Sequence, residues 1–113
     1  MMEEYAEEEG KKVDLKRLVA PPMPKEAYVQ AHQYLPIACH DVLIEYRGGI
    51  LLIVRDNLPA KNILWMIGGR ISRGISILDS LKKKVKEECG LEIDGIIELG
   101  TGRTLFATDP FGH

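Results

Sequence analysis

The chain has 113 residues, enough for one domain around one modest core, and its 45% hydrophobic and 28% charged content is ordinary for a globular protein. A formal net charge of −2 supplies no basic field, so nothing in the charge balance points to nucleic acid. The longest apolar runs, ILLIV and ILWMI, are far shorter than the roughly 20 residues of a membrane span and suit buried strands.

Residues 1–12, MMEEYAEEEGKK, form an acidic head followed by lysines, a composition usual for a solvated end. VDLKRLVAPPMP (13–24) closes in prolines and reads as an extended connector, so residues 1–24 separate from a domain at 25–113. Pro24 suits the first turn of a short helix, KEAYVQAHQYL, which Pro36 ends. IACHDVLIEY (37–46) and ILLIVR (50–55) read as a hairpin about the turn Arg47-Gly48-Gly49, and DNLPAKN (56–62) as a loop. ILWMI (63–67) is a further extended piece, broken by Gly68-Gly69.

Ser76 and Asp79 then offer a capping box for a helix to about Cys89, with Gly90 at its C′ position. IDGIIELGT and RTLFA read as two more strands joined through Gly100-Thr101-Gly102. The chain stops at DPFGH, straight after turn chemistry, and strands with one helix leave a sheet face uncovered. We therefore expect a closing strand and helix to be absent or to come from a partner. Cys39 and Cys89 lack C-x-x-C spacing and no apolar leader opens the chain, so we expect reduced thiols and a cytoplasmic location.

At about 100° per residue, Ile77, Leu78, Leu81, Val85 and Cys89 share one face of the helix, and Glu88 falls at its edge. Lys82, Lys83, Lys84 and Lys86 precede Glu87 and Glu88, which is the unfavourable order for the helix dipole. Carboxylates in the last turn cost roughly 0.3–1 kcal/mol each. A Lys84–Glu88 pair recovers only a few tenths, in its weaker orientation. A bound cation would reverse the first effect, and Mg²⁺ commonly takes one or two carboxylates plus substrate phosphates. The alternative is a plain solvated face, for which lysine-and-glutamate helices are common.

The stretch 69–91 resembles the Nudix hydrolase box. Gly69 stands at its opening glycine, Val85 at its apolar position, and Glu87, Glu88, Gly90 and Leu91 at its far end, with the spacing kept. The upstream hairpin, the loop and LWMIGGR fall where that family has them, so the resemblance covers roughly residues 36–107. It implies a Nudix-like α/β/α sandwich with a mixed sheet. Three positions depart from the box. Ile75 stands for its first glutamate, Lys83 for its arginine, and Lys84 for a glutamate that ligates metal. A cluster of two or three ions does not suit this set. One Mg²⁺ (or Mn²⁺) on Glu88, with Glu87 near it or in its outer shell, is what the resemblance leaves.

Within the family, the chain is most similar to GDP-mannose mannosyl hydrolases, which also carry a degraded box and keep its last glutamate. By that similarity VRDNLPAKNILWMIGGR places Arg55 and Arg70 near the diphosphate and gives Gly68 a carbonyl that contacts the metal. Asp41 matches an aspartate near the substrate after a one-residue gap. The general base of that branch lies further along the sheet, and His113 is not given that role. The resemblance also allows a homodimer, which would help to cover an open sheet.

Read from the residues alone, Arg55 and Arg70 are either diphosphate ligands or ordinary strand-end arginines. Gly68-Gly69 is either a simple turn or a place where backbone approaches a phosphate or metal. Trp65 either stacks on a base or belongs to the core, and His32 and His40 read as structural or surface residues. The leading expectation is a Mg²⁺-dependent hydrolase of a nucleoside diphosphate linked to another group, namely a nucleotide sugar such as GDP-mannose. Water attacks either phosphorus or the anomeric carbon, and the second needs fewer ions. The alternative is a domain that binds such a nucleotide without cleaving it, with Lys84 neutralising phosphate in place of metal.

Overall fold

The computed structural model describes residues 3–56 and 61–107. Most of the loop after Asp56 and the closing DPFGH stretch with His113 lie outside them. The fold is mixed α/β, built from short antiparallel pairs and two helices.

The head forms a hairpin of β1 (Glu7–Glu8) and β2 (Lys11–Lys12), closed by Val13 N–H donating to the Ala6 carbonyl at 2.7 Å. A 3₁₀ turn at Leu15–Leu18 follows, capped by Asp14. The head is thus ordered and partly docked. The Glu4 carboxylate accepts from Ile77 N–H at 2.8 Å, at the start of the second helix. An acidic side chain suits that positive end of the helix.

Helix α1 spans Lys25–Tyr34, with Pro24 just before it and Leu35 as its C-cap. The expected hairpin forms, but each long strand is interrupted once. Cys39–Val42 is β3, Ile44–Tyr46 β4, Gly49–Leu51 β5 and Ile53–Val54 β6. Arg47 and Gly48 turn the β4–β5 hairpin with φ of 49° and 81°, the doubly positive φ that a two-residue turn between twisted strands favours. Leu64–Trp65 is β7, pairing with β6, and Ile67–Arg70 is β8, pairing with β3.

The glycine pair therefore does not break the third apolar piece. Gly68 and Gly69 lie inside β8, opposite Asp41 and His40. The simple-turn alternative is corrected, because β3 supplies an antiparallel partner that holds both glycines extended.

Helix α2 spans Ile77–Cys89. Ser76 caps it by accepting from Asp79 N–H at 3.1 Å, and Gly90 closes it in the left-handed conformation at φ 70°. Leu81 and Val85 from α2 meet Ile44 and Ile67 in the buried core, and Val42, Leu51, Ile53, Cys89, Leu91, Ile93 and Ile96 pack around them. Ile77 and Leu78 are half-buried, so the apolar stripe expected of this helix is the face it buries.

The two strands expected after α2 are not found. Residues 91–107 carry no strand, and every strand pairing among the described residues is antiparallel. A strand needs a neighbouring edge for its backbone groups, and none of the described strands pairs with this segment. Ile93 and Ile96 reach the core, but Ile97, Leu99 and Leu105 are 80%, 83% and 77% exposed. No helix among the described residues is long and apolar enough to cross a membrane.

Ile67 and Val85 are completely buried, so truncation at this contact leaves a cavity. Ile67→Ala is expected to cost about 2–5 kcal/mol in urea denaturation. Ile97→Ala, at an 80% exposed position, should stay within about 0.5 kcal/mol.

Candidate functional site

Strand β3 alternates. His40 (9% exposed) and Ile44 (7%) face α2, while Cys39 and Asp41 face the other way. Register carries this across to β8: Gly69 opposes His40 on the helix side, and Gly68 and Arg70 oppose Asp41 and Cys39 on the far side. Among the described residues β8 pairs with β3 alone, so no described strand borders Gly68-Gly69 on the other side.

Close approach requires glycine at position 68, and position 69 lies against a flexible lysine. A Cβ on Gly68 would collide with the Asp41 carboxylate and the His40 carbonyl. A Cβ on Gly69 would come within 2.7 Å of Lys84 Cε and 3.3 Å of its Nζ. The Lys84 side chain thus lies across the strand backbone. Its ammonium sits 3.2 Å from Glu88 Oε1, with the two side chains 33% and 26% exposed.

This pair bears directly on the metal expectation. Lys84 lies against Gly69 and pairs with Glu88, so an ammonium already sits on the carboxylate expected to hold the ion. Glu87 is exposed on the helix, and no trio of His, Cys, Asp or Glu among the described residues is disposed to hold a metal. The residues present do not fit a resident Mg²⁺ held by Gly68, Glu87 and Glu88.

On the far side of the sheet, Asp41 is pushed above the ordinary carboxylate range by burial against the strand, while His40 and Arg55 pull it the other way. Arg55 lies over the Trp65 ring at 5.7 Å, and its backbone N–H donates to the Ile63 carbonyl. Trp65 itself is half-buried and 6.1 Å from Phe106, so one face is engaged with protein. Arg70 has taken on a structural contact, lying 4.3 Å over the Tyr28 ring and 3.7 Å from Met23 Sδ. It thereby ties α1 and the connector to β8, a contact worth roughly 0.5–1 kcal/mol at an exposed site. The Cys39 thiol is pushed up by burial and by Asp41, against the opposing pull of Arg70, and so is poorly suited to act as a thiolate.

The arrangement brings Asp41, Arg55 and Arg70 within electrostatic reach of one another or of shared neighbours, and it sets Lys84 and Glu88 across the strand from Asp41. A shallow depression of about 460 Å³ lies elsewhere, on the β4–β5 hairpin between Glu45 and Ile50, and none of these residues lines it.

One polar cluster was not foreseen. Ser80, 1% exposed, accepts from Ser72 N–H at 2.9 Å and lies 2.7 Å from His40 Nε2. It joins β3, the loop after β8 and α2 at one buried oxygen. His40 Nδ1 is buried without a hydrogen-bond partner. The cluster is closed to solvent, so Ser80 is not available as a nucleophile. The signals were in the sequence: His40 shares its strand alternation with Val42 and Ile44, and Ser80 lies three residues after Ile77 on the helix face.

No family model and no solved structure matches the chain. Among curated proteins, the low-salt glycan biosynthesis protein Agl8 of Haloferax volcanii is 30% identical over 74 residues, which are 66% of this chain and 47% of that protein. The chain therefore spans about half the length of this relative.

Two outcomes follow from the geometry. Ser80→Ala strands the Ser72 N–H and the second nitrogen of His40, and should lower stability by about 1–3 kcal/mol by thermal or chemical melting. Asp41 has the opposite sign. Its folded pKa is raised, so the folded state holds the proton more tightly and stability falls as pH rises through the range just above ordinary carboxylates. Asp41→Asn should therefore melt higher than the parent at pH 7, and the difference should vanish at pH 3, where both are neutral.

Proposed function

We propose that this chain binds and hydrolyses a nucleoside diphosphate linked to a sugar, of the GDP-mannose type, in a Nudix-like α/β/α sandwich. The observation that carries the reading is the Gly68-Gly69 backbone of β8, with Lys84 and Glu88 on the helix side and Asp41 and Arg70 on the other. Guanidinium and ammonium groups suit diphosphate oxygens. Backbone bare of side chains lets those oxygens come close. A relative named for glycan biosynthesis supports a sugar-linked substrate.

Mg²⁺, with Mn²⁺ as its substitute, belongs in this proposal to the substrate and enters as the metal complex of the diphosphate. Arg55 and Arg70 bind and orient the phosphates, Asp41 lies toward the substrate, and Glu88 is the carboxylate on which turnover depends. Reduced thiols at Cys39 and Cys89, both free, accord with a cytoplasmic location. A second copy of the chain would cover the exposed Ile97, Leu99 and Leu105 and complete the sandwich, making a homodimer part of the proposal.

The second reading, binding without cleavage, is favoured by one observation, the ammonium paired with the carboxylate expected to work. Both are tested by incubating purified protein with GDP-mannose and ADP-ribose, with and without Mg²⁺, and identifying products. Free sugar plus nucleoside diphosphate places attack at carbon; sugar phosphate plus nucleoside monophosphate places it at phosphorus. No turnover above a Glu88→Gln control would remove hydrolysis. Arg55→Ala and Arg70→Ala are each expected to weaken substrate binding about tenfold, the loss of one charge-assisted contact.

A further inference from the structure

The N-terminal segment meets the connection between β8 and α2 at three separate points. Near the start of the chain, the Glu4 carboxylate accepts from Ile77 N–H at 2.8 Å. Further on, Val19 lies against Gly74. A Cβ on that glycine would stand 2.5 Å from Val19 N and 2.8 Å from its Cγ2, and its φ of 85° also suits glycine. Met23 Sδ then accepts from Arg70 Nη1 at 3.7 Å. Positions 4, 19 and 23 rise as 77, 74 and 70 fall, so the segment runs along this connection in the opposite direction.

The segment is held from outside. No residue from 3 to 24 is buried, and Val19 and Met23 are 56% and 46% exposed. A piece of chain with so little buried apolar surface separates from the core at low free energy, while Ile67 and Val85 stay packed. The Glu4 contact sets a carboxylate against the positive end of a helix in an exposed position, so it weakens as salt rises. Pro21 and Pro22 have a fixed φ and link the Val19 and Met23 contacts stiffly. The 3₁₀ turn and the head hairpin carry order from Val19 back toward Glu4.

We propose that residues 4–23 are a salt-sensitive strap that closes on the connection between β8 and α2 and opens as one unit. Closed, it shields Gly74 and the first amide of α2. Open, it exposes both while the core remains folded. The proposal stands apart from the reading of a nucleotide substrate.

The amide proton of Ile77, followed by nuclear magnetic resonance on the full chain, reads the state of the strap. Glu4→Ala should move this resonance to the position of an amide bonded to water. Val19→Asn, a neutral change far from Glu4 in sequence, should move it most of the way to the same position. Raising NaCl from about 0.1 to 1 M, which shortens the Debye length from about 10 to 3 Å, should move the parent in the same direction. Amide-exchange protection of Ile67 and Val85 should stay as in the parent throughout. An Ile77 resonance unmoved in Val19→Asn would leave two unconnected contacts and overturn the strap. A resonance unmoved by Glu4→Ala or by salt would overturn its salt-sensitive end. Lost protection at Ile67 or Val85 in Val19→Asn, or failure of that variant to fold, would make Val19 part of the core and overturn opening as a separate unit.

Discussion

The distance between α2 and β8 governs the rest of this molecule. Ile67 and Val85 are both completely buried and anchor the helix to the strand. Ser80 fixes the same helix through one hydroxyl that reaches both His40 and Ser72. With the helix held there, any side chain at position 69 would strike Lys84. The path of Lys84 along the strand backbone follows from that packing distance.

That geometry accounts for how the site divides. Asp41 and Arg70 share the far side of the β3–β8 ladder, Lys84 and Glu88 the helix side, and the backbone of Gly68-Gly69 runs between them. On the helix side an arriving anion must compete with Glu88 for Lys84. A diphosphate, with several oxygens able to take different cations at once, is better suited to that exchange than a single carboxylate. Arg70 is further restrained by Tyr28 and Met23, so the proposed ligand meets one arginine already positioned by α1.

Much of this could be read from the sequence, for identifiable reasons. Helix α2 was legible end to end because Ser76, the apolar stripe and Gly90 all agree, and local signals of that kind do not depend on distant partners. The β4–β5 hairpin was legible for the same reason, through Arg47-Gly48. The Lys84–Glu88 pair followed from helical spacing. What sequence could not provide was pairing. Gly68-Gly69 looked like an interruption because its strand partner lies nearly thirty positions earlier, and residues 91–107 looked like strands because their alternation is real but no edge receives them. The acidic head is solvated as its composition suggests, but nothing local says that Glu4 will cap a helix more than seventy residues away. The close approach of Lys84 to Gly69 is likewise a tertiary fact.

The order of charges along α2 then has a physical explanation. Glutamates in a last turn are disfavoured by the helix dipole, and an ion pair of ordinary surface strength would not offset two of them. Glu87 stays in water, where screening makes its cost small. Glu88 is the one partly withdrawn from solvent, and it is the one that Lys84 reaches. The pair leaves the second carboxylate oxygen of Glu88 for another partner. In the proposed reaction, that oxygen and the cations around the glycine edge stabilise charge that collects on a departing diphosphate. They do little to activate water. The arrangement therefore leans toward breaking the bond at the sugar carbon, where a good leaving group matters more than a strong nucleophile.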